Sequence, residues 1–147
     1  MKKYLDLKKK IKKNEGFSDT AYLDSLGFAT IGYGHLIKPG EENLLYKKIP
    51  KKILIKIFNK DFKRSLEDYE NLYKKKNYNQ NIKEVLIEMI FQLGIEKQRK
   101  FVKVNGYLEK KQLFMASLEM INSLWYKQTP KRVDGLIASL LRCIHDK

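Results

Sequence analysis

Two carboxylates and a hydroxyl stand near one another in the N-terminal quarter of the chain: Glu15, Asp24 and Thr30, spaced Glu-x8-Asp-x5-Thr. They lie in the stretch NEGFSDTAYLDSLGFATIGYGH, which runs from Asn14 to His35. Glycosidic cleavage uses such a pair, one carboxylic acid to protonate the leaving oxygen and one carboxylate to activate water or attack the sugar. A threonine is neutral at every relevant pH, so its hydroxyl can orient water without adding charge. The stretch is apolar, glycine-bearing and extended in character, whereas most of the remaining chain has helical periodicity. A small β-element carrying two carboxylates inside a helical protein is where chemistry is expected.

The elements that must hold these residues follow from patterning. Tyr4, Leu7 and Ile11 recur at helical spacing over residues 2–14, with lysines elsewhere, and Gly16 stops that helix. Glu15 is therefore expected where a helix hands over to a loop. Ala21–Leu23 and Phe28–Tyr33 read as strands about the turn Asp24-Ser25-Leu26-Gly27, and Lys38-Pro39-Gly40 closes the region. Gly32 and Gly34 allow a positive φ or a close backbone approach.

A long helix opens at Pro50 and runs to about Lys75. Ile82, Val85, Leu86, Met89, Ile90 and Leu93 form the cleanest i, i+3/i+4 series, a central core helix ended by Gly94. Residues 100–107 are ambiguous, since Phe101, Val104 and Leu108 suit a helix while Asn105-Gly106 signals a turn. Leu113 to Trp125 reads as one further helix. The last begins with Thr129 as N-cap and Pro130 at the first helical position, and continues to Ile144. The expected architecture is α+β and mostly helical: a single domain over 1–147 with a β-containing lobe at 15–49, a connecting helix at 50–75, and a helical lobe of 76–147 plus the helix at 2–14.

Composition narrows the function classes. Apolar residues at 43% of 147 support a real core, so a disordered chain is excluded. The formal charge of +14, from 31 Lys+Arg against 17 Asp+Glu, favours polyanions such as nucleic acid, anionic lipid or the acidic polymers of a bacterial wall. Cys143 is the only cysteine, which rules out an internal disulfide and gives no sign of an oxidising compartment. Cys143 and His145 stand close in sequence but lack further ligands, so no metal site is expected. The N-terminus MKKYLDLKKKIKK has no unbroken apolar core of a signal, and no segment approaches the ~20 apolar residues of a membrane span. These features lead to an expectation of synthesis in a cytoplasm.

Beyond Glu15, Asp24 and Thr30, the chain contains Thr30-Ile31-Gly32-Tyr33-Gly34-His35, Phe91-Gln92-Leu93-Gly94 and the block Trp125-Tyr126-Lys127-Gln128-Thr129-Pro130-Lys131-Arg132. Together these resemble the phage-type lysozymes, glycoside hydrolase family twenty-four, over nearly the whole chain. The resemblance implies Glu15 as general acid, Asp24 as second carboxylate and Thr30 as the hydroxyl that helps hold the attacking water. It implies inversion at the anomeric carbon, which needs carboxyls ~6.5–9.5 Å apart with water between them. It places Leu36, Phe91 and Gln92 at substrate positions and gives His35 a part in supporting Glu15. Arg132 sits in the first turn of a helix, where positive charge opposes the macrodipole. An acidic partner should compensate, and the resemblance names Glu15, giving a Glu15–Arg132–His35 cluster.

Trp125 is read as core. Two further contact positions of the family fall on Val104 and Glu119, neither of which keeps the family's polar uncharged residue, and the segment between Leu36 and Phe58 is shorter than in the family. The outer subsites should therefore differ.

The resulting expectation is an endolysin-like muramidase acting on bacterial peptidoglycan as a monomer, without metal or cofactor. It would bind no nucleic acid and insert into no membrane, and a separate holin would release it from the host cytoplasm to the periplasm or wall. Two rivals rest on charge alone: a basic helical nucleic-acid-binding protein and a cationic membrane-binding protein without catalysis.

Overall fold

The computed structural model describes residues 4–142. Cys143, Ile144 and His145, and the expectations that fall on them, lie outside the described residues. The chain divides into two compact units, one up to Arg64 and one from Ser65 onward.

In the first unit, helix α1 (Leu5–Glu15) precedes a three-stranded antiparallel sheet of β1 (Ser18–Leu23), β2 (Ala29–Gly32) and β3 (His35–Leu36), in the order β1-β2-β3. Helix α2 (Lys51–Tyr73) begins in this unit and continues into the next. Ile31 on β2 packs with Leu44, Ile49 and Leu54, all buried, so one face of the sheet is sealed by apolar side chains. Helix α1 buries Leu7 and Ile11, and Tyr4 meets Phe62 of α2 edge-on at 5.8 Å. Phe17, Tyr33 and Phe58 continue this aromatic seam, with ring centroids 4.9 and 5.5 Å apart. Lys12 lies over the rings of Tyr33 and Phe58, where burial, then the charges of Lys8 and Lys51, lower its pKa. The unit holds α1 together with the sheet.

The second unit is helical. Helix α3 (Gln80–Leu93) is its centre, with every residue from Val85 to Ile90 buried and Asn79 capping its start through the Ile82 amide. Around it stand α4 (Ile95–Lys100), α5 (Val102–Glu109), α6 (Leu113–Ile121), α7 (Leu124–Gln128) and α8 (Pro130–Arg142).

Three sequence expectations change here. Asn105-Gly106 does not break α5, because the Asn105 side chain accepts from the Tyr73 hydroxyl at 2.6 Å and donates to the Gln98 carbonyl. That tertiary network overrides the local turn signal, and burial within it pushes the Tyr73 phenol up to about 12. The expected helix from Leu113 to Trp125 is two, because Ser123 Oγ donates to the Met120 carbonyl and caps the Tyr126 amide of a new helix. Thr129 does not cap α8 with its hydroxyl. That group accepts from Gln92 and donates to the Trp125 carbonyl, while Pro130 does occupy the first helical position.

Candidate active site

Helix α1 ends on Glu15, closed by the Gly16 amide donating to the Lys12 carbonyl at 3.0 Å. The carboxylate therefore leaves the last helical residue rather than an exposed helix face. It packs against the β2–β3 turn, where Gly32 and Gly34 take φ values of +66° and +76°. Gly34 has a second reason to be glycine: a Cβ placed there would overlap Glu15 Oε2. In Gly34→Ala the methyl group must displace that carboxylate, and the left-handed backbone costs about 1–2 kcal/mol. We expect a modest fall in Tm together with a loss of hydrolysis of at least about tenfold. Unchanged activity in this variant would mean that Glu15 need not stand where Gly34 fixes it.

The β1–β2 turn holds the second carboxylate. Asp24 Oδ1 accepts the backbone amides of Leu26 and Phe28, each at 2.9 Å, and the Asp24 amide donates to the Phe28 carbonyl. One carboxylate oxygen is thus fixed by the backbone. Thr30, 3% exposed, donates its hydroxyl to the same Phe28 carbonyl at 2.9 Å, leaving the oxygen lone pairs as acceptors.

Strand register brings these groups to one side. Tyr22 pairs with Thr30, and Thr30 pairs with Leu36, so all three side chains lie in a row on one face of the sheet. Asp24 lies in the turn just beyond β1, two residues after Tyr22. Leu36 is half exposed on this row. Sequence reading had passed over Tyr22. Burial, then the negative charges of Glu15 and Asp24, raise its phenol pKa, so a single hydroxyl responds to both carboxylates. Its signal in the sequence was parity: a strand residue two positions before Asp24. Tyr22→Phe should keep the fold and lower kcat several-fold, read from initial rates of reducing-end release. An unaltered rate would remove Tyr22 from the site.

His35 is placed differently from expectation. It pairs with Ile31, on the opposite sheet face from Thr30, and is buried. Its Nδ1 lies 2.8 Å from Asp61 Oδ2 and its Nε2 3.1 Å from Glu41 Oε1, so both ring nitrogens serve these carboxylates and not Glu15. Arg64 bonds the other oxygen of Asp61. The Asp61 hydrogen bond, opposed by burial and helped by the Asp61 and Glu41 charges, raises the His35 pKa. Burial alone would raise Glu41, but the Lys38 amide and His35 together lower it.

The signs fix a pH window. The His35 contribution is complete below its unfolded pKa, about 6.5, and is lost as pH rises through the raised folded value. The Glu41 contribution is present above about 4.5 and is lost as pH falls through the lowered folded value. His35→Asn should therefore cost about 1.5–3 kcal/mol near pH 5.5 and clearly less near pH 9. Urea unfolding of both proteins at the two pH values measures this, and an equal cost at both would exclude a charged His35.

In the helical unit, Gln92 Oε1 accepts the Trp125 indole N–H at 3.0 Å and its amide nitrogen donates to Thr129 at 3.2 Å. Trp125 is buried, with Phe101 edge-on at 5.7 Å, as a core residue would be. The Gln92 amide is thus locked in orientation, with one lone pair and one hydrogen remaining. Phe91 beside it is half-buried. Arg132 Nε donates to Glu88 Oε2 at 3.2 Å, so within this unit the acidic partner of Arg132 is a fully buried carboxylate of α3. Sequence reading missed Glu88, although a carboxylate inside the cleanest apolar run was the signal. Val104 is buried in the core, and Glu119 is half-buried on α6.

The phage lysozyme family matches residues 12–139. Two curated proteins of Dictyostelium discoideum are similar along nearly their whole length. Probable T4-type lysozyme 2 is 32% identical, with 90% of this chain and 91% of that protein covered. Probable T4-type lysozyme 1 is 30% identical with the same coverage.

Proposed function

The chain belongs to the phage lysozyme family, and from that premise we propose an endolysin-like muramidase that cleaves the β-1,4 bond between N-acetylmuramic acid and N-acetylglucosamine in bacterial peptidoglycan. As a lysozyme it is a glycoside hydrolase. The finer reading rests chiefly on one observation: Tyr22, Thr30 and Leu36 form a row on one sheet face, beside the turn that holds Asp24, and the charges of Glu15 and Asp24 both raise the Tyr22 pKa.

In the proposed reaction, Glu15 in its acid form gives its proton to the leaving glycosidic oxygen as the bond to the anomeric carbon breaks. A water molecule attacks the same carbon from the opposite face and passes a proton to Asp24. With Oδ1 held by the Leu26 and Phe28 amides, Asp24 has Oδ2 to take that proton. The Thr30 oxygen accepts the other hydrogen of the water, since its own hydrogen is committed to the Phe28 carbonyl. Inversion follows from this single displacement.

The reaction needs no group beyond water and these side chains. The charge of +14 draws the monomeric enzyme to an anionic wall and does so less at high salt.

Membrane-free peptidoglycan tests the chemistry. New reducing ends should appear, with the α-anomer present first by proton NMR. No reducing ends would defeat the enzymatic reading, and a β-anomer would defeat inversion alone. The endolysin role has its own test. Cells making the protein in the cytoplasm should stay intact until a holin, or an added membrane-permeabilising agent, lets it reach the wall. Lysis without such a lesion would remove that role.

A further inference from the structure

Helix α6 differs in composition from the rest of the chain. Its nine residues, LFMASLEMI, include no lysine or arginine, in a protein with 31 such residues among 147. Ala116, Ser117 and Met120 are buried, so one side packs on the core. The other side is apolar as well. Phe114 is 60% exposed, and Met115, Leu118 and Ile121 are about 40% exposed. At helical spacing Phe114, Leu118 and Ile121 fall within one arc of roughly 60°, with Met115 at its flank. A helix with this much apolar surface is ordinarily enclosed, and this one, with the half-buried Glu119 as its one charged residue, presents a strip to water.

The chain immediately before the strip is basic, beyond the Lys76–Glu109 ion pair. Lys110 and Lys111, both exposed, immediately precede the helix. A cavity of about 560 Å³ adjoins Phe114 and Met115, lined also by Ile82, Leu108, Lys111 and the ion-paired Lys76 and Glu109. All of these residues belong to the second unit.

We infer that this face of the helical unit docks reversibly on an anionic lipid bilayer, with Phe114, Leu118 and Ile121 entering the interfacial layer and Lys110 and Lys111 meeting lipid phosphates. Charge decides the occupant. A second copy would bring lysines against lysines, and an uncharged surface would leave them unmatched. Area agrees. The exposed parts of these side chains amount to a few hundred Å², below the roughly 800 Å² per partner of a stable protein interface. An apolar strip with basic flanks is what interfacial docking requires. No described helix is long and apolar enough to cross a membrane, so the docking is peripheral.

Co-sedimentation of the full chain with vesicles of phosphatidylcholine, alone or with about 30% phosphatidylglycerol, tests this at about 0.1 M and 0.5 M salt. The protein should bind the anionic vesicles, less so in high salt, and leave the neutral ones in solution. The combined variant Phe114→Ser, Leu118→Ser, Ile121→Ser keeps every charge and should bind at least about tenfold more weakly. Lys110→Glu with Lys111→Glu should weaken binding as well, and decides the matter if the serine variant fails to fold. The serine variant, which keeps every charge, should hydrolyse membrane-free peptidoglycan as the parent does, so loss of docking is distinguishable from loss of the enzymatic reading. Failure of the parent to bind, or equal binding by a folded serine variant, overturns the proposal. So does a parent dimer that the serine variant dissolves, which would assign the strip to a second copy.

Discussion

Glu15→Gln is expected to lower reducing-end release from peptidoglycan by about 10³-fold or more, with the unfolding transition nearly unchanged. The two side chains have the same shape, so the contact with Gly34 survives. What disappears is the acidic proton. A carboxamide donates hydrogen bonds but gives up no proton to a departing sugar oxygen, so that oxygen must leave as an alkoxide. Asp24→Asn should cause a loss of comparable size for the complementary reason, since an amide oxygen is a poor base. In Thr30→Ser the hydroxyl remains and most activity should remain with it, whereas Thr30→Val removes the acceptor for the water. If Glu15→Gln keeps a tenth or more of the parent rate, the acid lies elsewhere and the assignment falls.

Much of the local geometry of the candidate site was legible from residue types and spacing because its members are close in sequence. Glu15, Asp24 and Thr30 sit on a helix end, a turn and a strand that each announce themselves locally: Gly16 stops the helix, Asp24 folds its side chain onto its own backbone, and Thr30 lies in a short extended run that follows a turn. The sheet face then follows from parity, which would also have yielded Tyr22. The same parity puts His35 on the sheet face opposite Thr30. His35 pairs with Ile31 and so belongs to the sealed side of the sheet, and the family resemblance alone could not show this. Asp61, its main partner, is 26 residues away on a different element, and no local signal joins the two.

The helices were legible where periodicity was strong and were misjudged where side chains bond across the fold. Asn105-Gly106 is a good turn signal until Tyr73 and Gln98 engage the Asn105 amide. Ser123 is unremarkable until it bonds both the end of one helix and the start of the next. Thr129 before Pro130 is a sound N-cap until Gln92 and Trp125 claim its hydroxyl. In each case one polar side chain had two possible sets of partners, and long-range geometry chose between them. Composition carried a different kind of message. The absence of lysine from α6 is visible in the sequence, but only burial shows that half of that apolar helix faces water.

Arg132→Met is expected to destabilise the helical unit by about 3 kcal/mol, and replacing Glu88 by Leu in the same chain should recover most of the loss. Glu88 is fully buried on the central helix, and Arg132 is 10% exposed at the start of α8. Removing the guanidinium leaves a carboxylate in the interior with less to compensate it, and that uncompensated charge costs more than the pair itself contributes. The position adds to the effect, because an arginine in the first turn of α8 opposes the helix dipole and is tolerated there through its acidic partner. Glu88→Leu alone should therefore also destabilise, by removing the carboxylate that Arg132 Nε bonds beside a helix N-terminus. With both charges gone, two apolar side chains of similar volume fill the same space and the penalty falls away. A double-mutant cycle in urea reads this as a coupling of about 2 kcal/mol or more, with the double variant more stable than either single one. Additive losses would mean that Glu88 and Arg132 act through separate neighbours, and that the start of α8 is held by something other than the buried carboxylate.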